Sequence, residues 1–295
     1  MSTQALATIF SLATMVLWGI ENAISKKYSE KIESSSLMLY RGGFTIPITL
    51  ISLYVYRSTA NFNLQYILIG FVISALSYFG YYLLLEGYKR GSVGVISPIS
   101  SARILIAVLI GYTFLGDDAS LMEIISIFII FTGVFLSSID FKSFKTSALF
   151  KKESGVSFAL LSALVWGISF PLFSIPSSVL GAFLFASVLE VTTPSISILK
   201  QGLKGKLRVS KEEFKDNIRG IAAIGIFGGL GSVFVNLGYS TKEVAIVSSV
   251  SGSVPLVALL YSKVFYKEKL TTLQQISAAL IIFGVVGLSF LSNRE

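Results

Sequence analysis

Cysteine and histidine are both absent from the 295 residues of this chain, and charged side chains make up only 14% of it. Without these residue types there is no disulfide, no thiolate nucleophile, no histidine-based catalytic triad and little from which to build a transition-metal site. We therefore expect no enzyme activity, no catalytic residues, no metal and no cofactor. A hydrolase built from serines and carboxylates alone is a remote alternative.

The shortage of charge goes with long apolar runs. Soluble domains carry about 25% charged residues, and the mean hydropathy here is +0.77. Apolar runs of about 20 residues recur along nearly the whole chain, and each can cross a hydrocarbon core of about 30 Å as a helix. None shows the alternation of a membrane strand. The sequence predicts an all-α integral membrane protein, multi-pass in the cell membrane, with the lipid bilayer as its surroundings.

The net charge of +8 does not indicate nucleic acid as a partner. The lysines lie in short connections between apolar runs, where basic residues normally set membrane orientation. The first run begins near Ala5 with no lysine or arginine before it. We interpret it as a retained helix and not as a signal peptide.

Ten transmembrane helices are predicted from the apolar runs. They lie near residues 5–27, 35–56, 64–87, 92–115, 120–139, 155–174, 177–199, 220–240, 243–265 and 271–291. Two connections are long and basic, namely residues 140–154 and the mixed-charge segment from Gln201 to Arg219.

The two halves of the chain resemble each other. Residues 87–137 can be laid on residues 238–288 without a gap, and two further similarities keep the same order. We therefore predict a first five-helix repeat over residues 1–140, a basic linker over 141–154 and a second repeat over 155–295. Because five is odd, the second repeat enters the membrane from the opposite side. Inverted repeats are typical of secondary transporters, whose substrate site lies near the midplane where the halves meet. The matching pairs include Trp18 and Trp166, Gly87-Tyr88 and Gly238-Tyr239, Ser97 and Ser248, Ser126 and Ser277, Gly133 and Gly284, and Pro47 and Pro194.

These residues carry a resemblance to a known family. Leu17-Trp18-Gly19, Val165-Trp166-Gly167 and the run of Pro255, Glu268, Gly284 and Val285 resemble the drug/metabolite transporter (DMT) superfamily, in its ten-helix EamA type. The first half has Gly116-Asp117 where the second has Glu268, and Ile104 stands where a proline is expected. The resemblance implies two tandem EamA repeats and a metabolite transporter; members carry amino acids, sugars, nucleotide sugars, drugs and other solutes.

Charged residues inside the apolar runs are the strongest candidates for a site. A charge at the bilayer centre costs about 2.5 to 3.5 kcal/mol on insertion scales, so it usually faces a cavity or a partner. Arg103 and Glu190 lie deepest, while Glu21 and Arg41 lie nearer helix ends. The Pro47/Pro194 match places Glu190 near the position of Arg41, so a direct ion pair between them is one interpretation. Arg103 is expected to face a polar cavity, where it either binds an anionic group or holds a carboxylate in place.

Helical spacing groups these charges with other polar and aromatic side chains. Small residues are equally explained by close helix packing, and the tryptophans by positions at the membrane interface. The predicted residues of the substrate cavity are Trp18, Glu21, Arg41, Tyr78, Tyr82, Ser100, Arg103, Trp166, Glu190, Asn236 and Ser251.

The predicted function is alternating-access transport of a small organic solute, with an amino acid or related metabolite favoured. Arg103 would bind its carboxylate, and Glu190 or Glu21 its ammonium group. If transport is coupled to protons, the lack of histidine leaves Glu21, Glu86 or Glu190 to carry them. A monomer can work alone, since both halves lie in one chain. The alternatives are a non-transporting membrane sensor or scaffold, for which the Gln201–Arg219 segment would be the docking site, and an exporter of drug-like cations.

Two arguments about orientation conflict. Arg57, Lys242 and Arg294 are the basic residues at the even-numbered connections and the termini, whereas most of the others lie at the odd-numbered connections. The positive-inside rule then predicts that both termini are extracellular. Members of the family that the chain resembles usually have cytoplasmic termini.

Overall fold

Helices account for nearly all of the residues that a computed structural model describes, which are residues 2–118, 120–137, 155–203, 205, 210–265 and 271–291. Within these ranges there is no β-strand. The predicted linker, residues 141–154, and Glu268 lie outside the described residues.

The helices fall into two halves. The first half contains α1 (Thr3–Ser29), α2 (Ser34–Val55), α3 (Leu64–Arg90), α4 (Val93–Ser101), α5 (Arg103–Ile110) and α6 (Leu121–Ser137). The second contains α7 (Gly155–Ser169), α8 (Ser174–Leu180), α9 (Ala182–Leu203), α10 (Lys211–Ser240), α11 (Val244–Gly252), α12 (Val254–Phe265) and α13 (Thr272–Leu291). Short turns of tighter or wider helix continue some of them, at Arg57–Thr59, Gly111–Leu115 and Pro171–Phe173.

Eight helical segments are long and apolar enough to cross a membrane, and two shorter apolar helices accompany them. Five of the eight are single helices: α1, α2, α3, α9 and α10. The other three are the joined pairs α4 with α5, α7 with α8, and α11 with α12. The two shorter ones lie in α6 and α13. This agrees with ten predicted spans, and the all-helical fold class is confirmed.

One predicted boundary is wrong. The sequence places the end of the sixth helix at residue 174 and the start of the seventh at 177, but the helical segment continues through α8 and turns at Gly181. Gly181 has φ +86°, a backbone conformation that side chains disfavour. A Cβ there would also collide with the backbone oxygen of Thr59. The turn is therefore set by a glycine, and the prolines before it are accommodated within the segment.

The start of the eighth span is also earlier than predicted. Helix α10 begins at Lys211, not at residue 220, because Ser210 caps it by accepting a hydrogen bond from the backbone N–H of Glu213 (3.1 Å). Glu212 and Glu213 in the first turn suit the positive end of the helix. Residues 211–219 of the mixed-charge segment are therefore helix, not a free connection.

The fourth and ninth spans are both interrupted near their middles. Helix α4 gives way to α5 at Ala102, and α11 gives way to α12 at Ser253. These two positions match exactly in the register that lays residues 87–137 on 238–288. At both, the backbone N–H bonds to the carbonyl three residues back, Ile99 and Val250 respectively. Since only the second half has a proline two residues later, the interruption does not depend on that proline.

The helices of the two halves pack in an exchange pattern. Helix α1 packs along α10, and α3, which is equivalent to α10, packs along α7, which is equivalent to α1. Helix α2 packs on its equivalent α9, and α6 packs on its equivalent α13. This pattern is the one expected of two halves related by a two-fold axis, and it is consistent with the inverted repeat that the sequence predicts.

Individual contacts repeat across the same axis. The indole of Trp18 lies against Gly231, and that of Trp166 lies against Gly80, its equivalent. Similarly, Gly133 meets Ile281 and Ser277, while Gly284 meets their equivalents in α6. These glycines allow a helix or an aromatic ring to approach closely, which is the packing role that the sequence analysis gave to small residues.

Asp117 joins the halves at one membrane face. Its carboxylate accepts hydrogen bonds from the backbone N–H groups of Val244 (3.3 Å) and Ala245 (2.6 Å) at the start of α11. Burial raises the pKa of Asp117 above its ordinary value, although both hydrogen bonds act in the opposite direction. Asp117, from the first half, thus caps the start of α11 in the second half.

We expect Gly80→Ala and Gly231→Ala to destabilise the protein to a similar extent. A Cβ at either position would push the packed indole away, and overpacking of this kind costs about 1 to 3 kcal/mol. The matched control is Gly43→Ala, since a Cβ there meets nothing within 4 Å. Unfolding titrations in detergent measure the effect. Equal stability of all three variants would contradict the packing of the two tryptophans.

Candidate functional site

Arg41 joins two buried carboxylates at the centre of the helix bundle. Its Nε donates to Oε1 of Glu21 at 2.9 Å. Its two terminal nitrogens donate to Oε2 and Oε1 of Glu190, at 2.6 and 3.3 Å. All three side chains are at most 7% exposed. The ion pair that the sequence predicts between Arg41 and Glu190 is thus present, and Glu21 is added to it. We call this group of three the central triad.

Two hydroxyl groups support the central triad. Tyr81 donates a hydrogen bond to Oε1 of Glu21 (3.0 Å), and Ser232 donates one to Oε1 of Glu190. Tyr81 and Ser232 occupy equivalent positions in the two repeats. The guanidinium of Arg41 also lies 5.2 Å from the centre of the Tyr81 ring. Each carboxylate is therefore held by the shared arginine and by one hydroxyl from its own half of the chain.

Small residues bring the helices of the central triad together. Gly42 on α2 lies against Pro194 on α9, where a Cβ would approach the proline ring within 2.9 Å. Gly228 on α10 leaves room for the ion pair itself, because a Cβ there would lie 2.7 Å from Glu21 Oε1 and 2.5 Å from Arg41. The glycines of α10 therefore shape the pocket in which the charges meet.

Arg103 has no carboxylate partner within the part of the chain that the structure describes. It follows the interruption at Ala102, and its guanidinium carbon lies 5.2 Å from the centre of the Trp166 ring and 5.1 Å from that of Phe170. The side chain is 5% exposed. Of the two interpretations left open by the sequence, a carboxylate held in place by Arg103 is not found among these residues.

A cavity lies between these groups. Its walls come from α1, α2, α3, α5, α7, α9, α10, α12 and the Pro171–Phe173 turn, so both repeats contribute. Most of its residues lie near the middle of their helices, at the depth where the sequence predicts a site. Seven of the predicted residues line it: Trp18, Glu21, Arg41, Tyr78, Arg103, Trp166 and Glu190.

Four predicted residues lie outside the cavity lining. Ser100 and Ser251 donate to backbone carbonyls of their own helices, those of Ser97 and Val247. Asn236 accepts from Ser177 (2.9 Å) and donates to the Ser232 carbonyl.

The fourth, Tyr82, is half-buried on α3 with the ammonium group of Lys200 3.2 Å from its ring centre. Its ring stacks on that of Tyr78, at 6.4 Å between centres. Tyr78 and Tyr82 lie four residues apart on a helix, so Tyr82 was predicted to share the cavity with Tyr78. The structure places Tyr81 there instead.

Several lining residues were missed. The aromatic and apolar ones, Phe170, Phe173, Leu189 and Val254, carry no polar signal in the sequence. Asn22, Ser77, Tyr81, Thr193 and Ser232 complete the polar wall. Tyr81 and Ser232 occupy equivalent positions in the two repeats, and that pairing of polar residues is the sequence signal that could have identified both.

Glu86 is not part of the cavity. Its carboxylate accepts from Ser34 (2.6 Å), Lys89 (2.8 Å) and Arg90 (2.6 Å) near the end of α3. With three donors it stabilises the junction of α2 and α3.

The cavity separates opposite charges. Arg41 with two carboxylates has a formal charge of −1, and Arg103 contributes +1 among aromatic rings. Among the described residues, no group of three or more aspartates or glutamates could hold a metal ion. The arrangement suits a small molecule with a carboxylate at one end and a cationic group at the other.

Comparison with known proteins identifies the relatives of the chain. The EamA-like transporter family matches it twice, over residues 5–139 and 153–290. Chains of solved structures also match, 29 of them. One, a protein known from a crystal structure, has 15% sequence identity and a TM-score of 0.74, and the match covers 97% of this chain and 98% of the other. No curated protein matches.

Arg41→Gln should destabilise the protein by about 3 to 5 kcal/mol, because it leaves two buried carboxylates without their cation. Arg103→Gln is the matched comparison, since it loses only contacts with aromatic rings and should cost at most about 2 kcal/mol. The free energy of unfolding of both variants, measured in the same detergent, tests this order. A larger loss for Arg103→Gln would mean that the triad is not the main electrostatic support.

Proposed function

Since the chain belongs to the EamA-like transporter family, a family of membrane transporters of small solutes, we propose that it carries a small zwitterion, such as an amino acid, by alternating access. The protein is a multi-pass membrane protein, and its substrate site is the central cavity. The observation that supports this substrate class most directly is Arg103, a buried cation in the cavity wall without a carboxylate partner among the described residues.

Arg103 is suited to binding the substrate carboxylate. A guanidinium presents N–H donors in a planar fork that matches a carboxylate in geometry and charge. In a site with little water such a pair is far stronger than at a protein surface. The rings of Trp166 and Phe170 hold the guanidinium while the site is empty.

The central triad is suited to the other end of the substrate. Its carboxylates can accept hydrogen bonds from an ammonium group, and Glu21 and Glu190 both line the cavity. The aromatic residues around Arg103 provide an apolar wall for a side chain. A molecule with both charges therefore leaves neither Arg103 nor the triad uncompensated.

The alternatives are less well supported. An exporter of drug-like cations would carry an unpaired arginine in its own site, which repels its substrate. The sensor or scaffold hypothesis rests on the Gln201–Arg219 segment alone, and residues 211–219 of that segment form the first turns of α10. Solute flux through the purified protein in liposomes distinguishes a transporter from a sensor or a scaffold.

Alternating access is supported by the equivalent contacts in the two halves. Exchanging two conformations of equivalent repeats around a fixed midplane site opens the site to each membrane face in turn. The interruptions at Ala102 and Ser253 provide matching places for the spans to bend. Since one chain provides all the lining residues described, a monomer is the proposed working unit.

We expect Arg103→Gln to reduce amino acid transport at least about ten-fold, the effect of losing about 1.4 kcal/mol of binding. Counterflow of labelled alanine, leucine, phenylalanine and serine into liposomes measures it. Arg57→Gln is the control, since Arg57 also lies over an aromatic ring, 5.1 Å from that of Tyr54, but outside the cavity. Equal transport by Arg103→Gln and the unmodified protein would contradict the substrate assignment.

For orientation we propose extracellular termini in the cell membrane, because basic residues concentrate at the odd-numbered connections. A protease-cleavable tag at either terminus should be removed from intact cells without opening them. A tag inserted in the linker, residues 141–154, should stay protected. Protected termini together with a cleaved linker would give the orientation usual for the family and overturn this proposal.

A further inference from the structure

Resting on the transport function above, we infer that Glu21 is a site where a proton and the substrate's ammonium group compete. Substrate binding then releases a proton, and movement of substrate in one direction is coupled to movement of a proton in the other.

The two carboxylates of the central triad are held differently. Both oxygens of Glu190 accept hydrogen bonds: Oε2 from Arg41, and Oε1 from Arg41 and Ser232. At Glu21 both bonds, from Arg41 and Tyr81, go to Oε1. Among the residues that the structure describes, none donates to Oε2 of Glu21. Glu190 is thus fully paired, whereas Glu21 has a carboxylate oxygen available to a ligand.

The charged and titratable groups around Glu21 are few. Helix α2 brings Arg41, α3 brings Tyr81, Tyr78 and, further along, the buried Tyr88, α5 brings Arg103 and α9 brings Glu190. From the other helices that contact α1, the cavity lining contains only uncharged residues, Ser232 from α10 and Val254 from α12. Among the described residues, the only cation paired with Glu21 is therefore Arg41, which it shares with Glu190.

One guanidinium for two buried carboxylates leaves a charge that must be compensated. An ionised group away from water is costly unless it is paired, and a carboxylate can avoid that cost by binding a proton. Two nitrogens of Arg41 donate hydrogen bonds to Glu190. Glu21 is therefore the carboxylate that binds the proton. When the substrate arrives, its ammonium group supplies the compensating charge instead.

The exchange balances in atoms and charge. In the empty site the O–H bond at Glu21 Oε2 is intact. As the ammonium group approaches, that proton leaves to water, and an N–H···O hydrogen bond to the carboxylate replaces the O–H bond. One proton is released for each zwitterion bound, and the ammonium group keeps all its own protons.

Proton release by the unmodified protein tests the inference directly. Purified protein in weakly buffered detergent solution is mixed with saturating alanine, leucine, phenylalanine or serine, and a pH indicator records released protons. We expect close to one proton for each bound amino acid. Binding without proton release would overturn the competition at Glu21.

Counterflow separates this inference from the proposed function. Exchange of labelled for unlabelled amino acid requires a working carrier but no net proton movement. If none of these amino acids exchanges, the proposed substrate class fails. If exchange occurs but an imposed pH gradient drives no accumulation, only the coupling fails.

Two variants assign the proton to a residue. Glu21→Gln is expected to bind substrate more weakly, and the amino acid that does bind should release no proton. Glu86→Gln is the matched control, since Glu86 is a partly buried carboxylate outside the cavity, and it should release the same proton as the parent. Unchanged proton release by Glu21→Gln, or its loss in Glu86→Gln alone, would overturn the assignment.

Discussion

Arg41 sits between two carboxylates that come from different repeats, and the geometry of the cavity follows from that bridge. It ties α1 and α2 of the first half to α9 of the second through bonds of 2.6 to 3.3 Å. A buried arginine of this kind is costly unless every donor finds an acceptor, so the three helices are fixed at the depth where the charges meet. Arg103 lines the same cavity, and we propose it as the cation that binds a ligand.

The two repeats share one arrangement of helices, and the charged site is formed by residues that differ between them. Equivalent residues such as Trp18 and Trp166 pack on equivalent glycines, and the spans break at equivalent positions. The charged residues do not follow this rule, because the equivalent of Arg103 is Val254. A site with separated charges arises where a symmetric frame carries different side chains, which suits a substrate whose two ends differ.

Much of the fold follows from the sequence because hydrophobic length and internal similarity are properties of long segments. The buried charges were also identifiable, since hydrocarbon excludes Arg103 and Glu190 unless they face a cavity or a partner. The direction in which each side chain points could not be predicted from the sequence. Helical spacing placed Tyr82 in the cavity where Tyr81 belongs, and Ser100, Asn236 and Ser251 bind within the helix bundle. The Gly181 turn was not predicted, because a single glycine inside a long apolar run is a weak signal of a turn.

We propose that the cavity holds a zwitterion between Arg103 and the central triad. An experimental structure of the protein loaded with an amino acid that it exchanges tests this most directly. We expect the ligand's carboxylate on the guanidinium of Arg103 and its ammonium group on Oε2 of Glu21. A ligand bound elsewhere, or bound in the reverse direction with its carboxylate on Arg41, would contradict it.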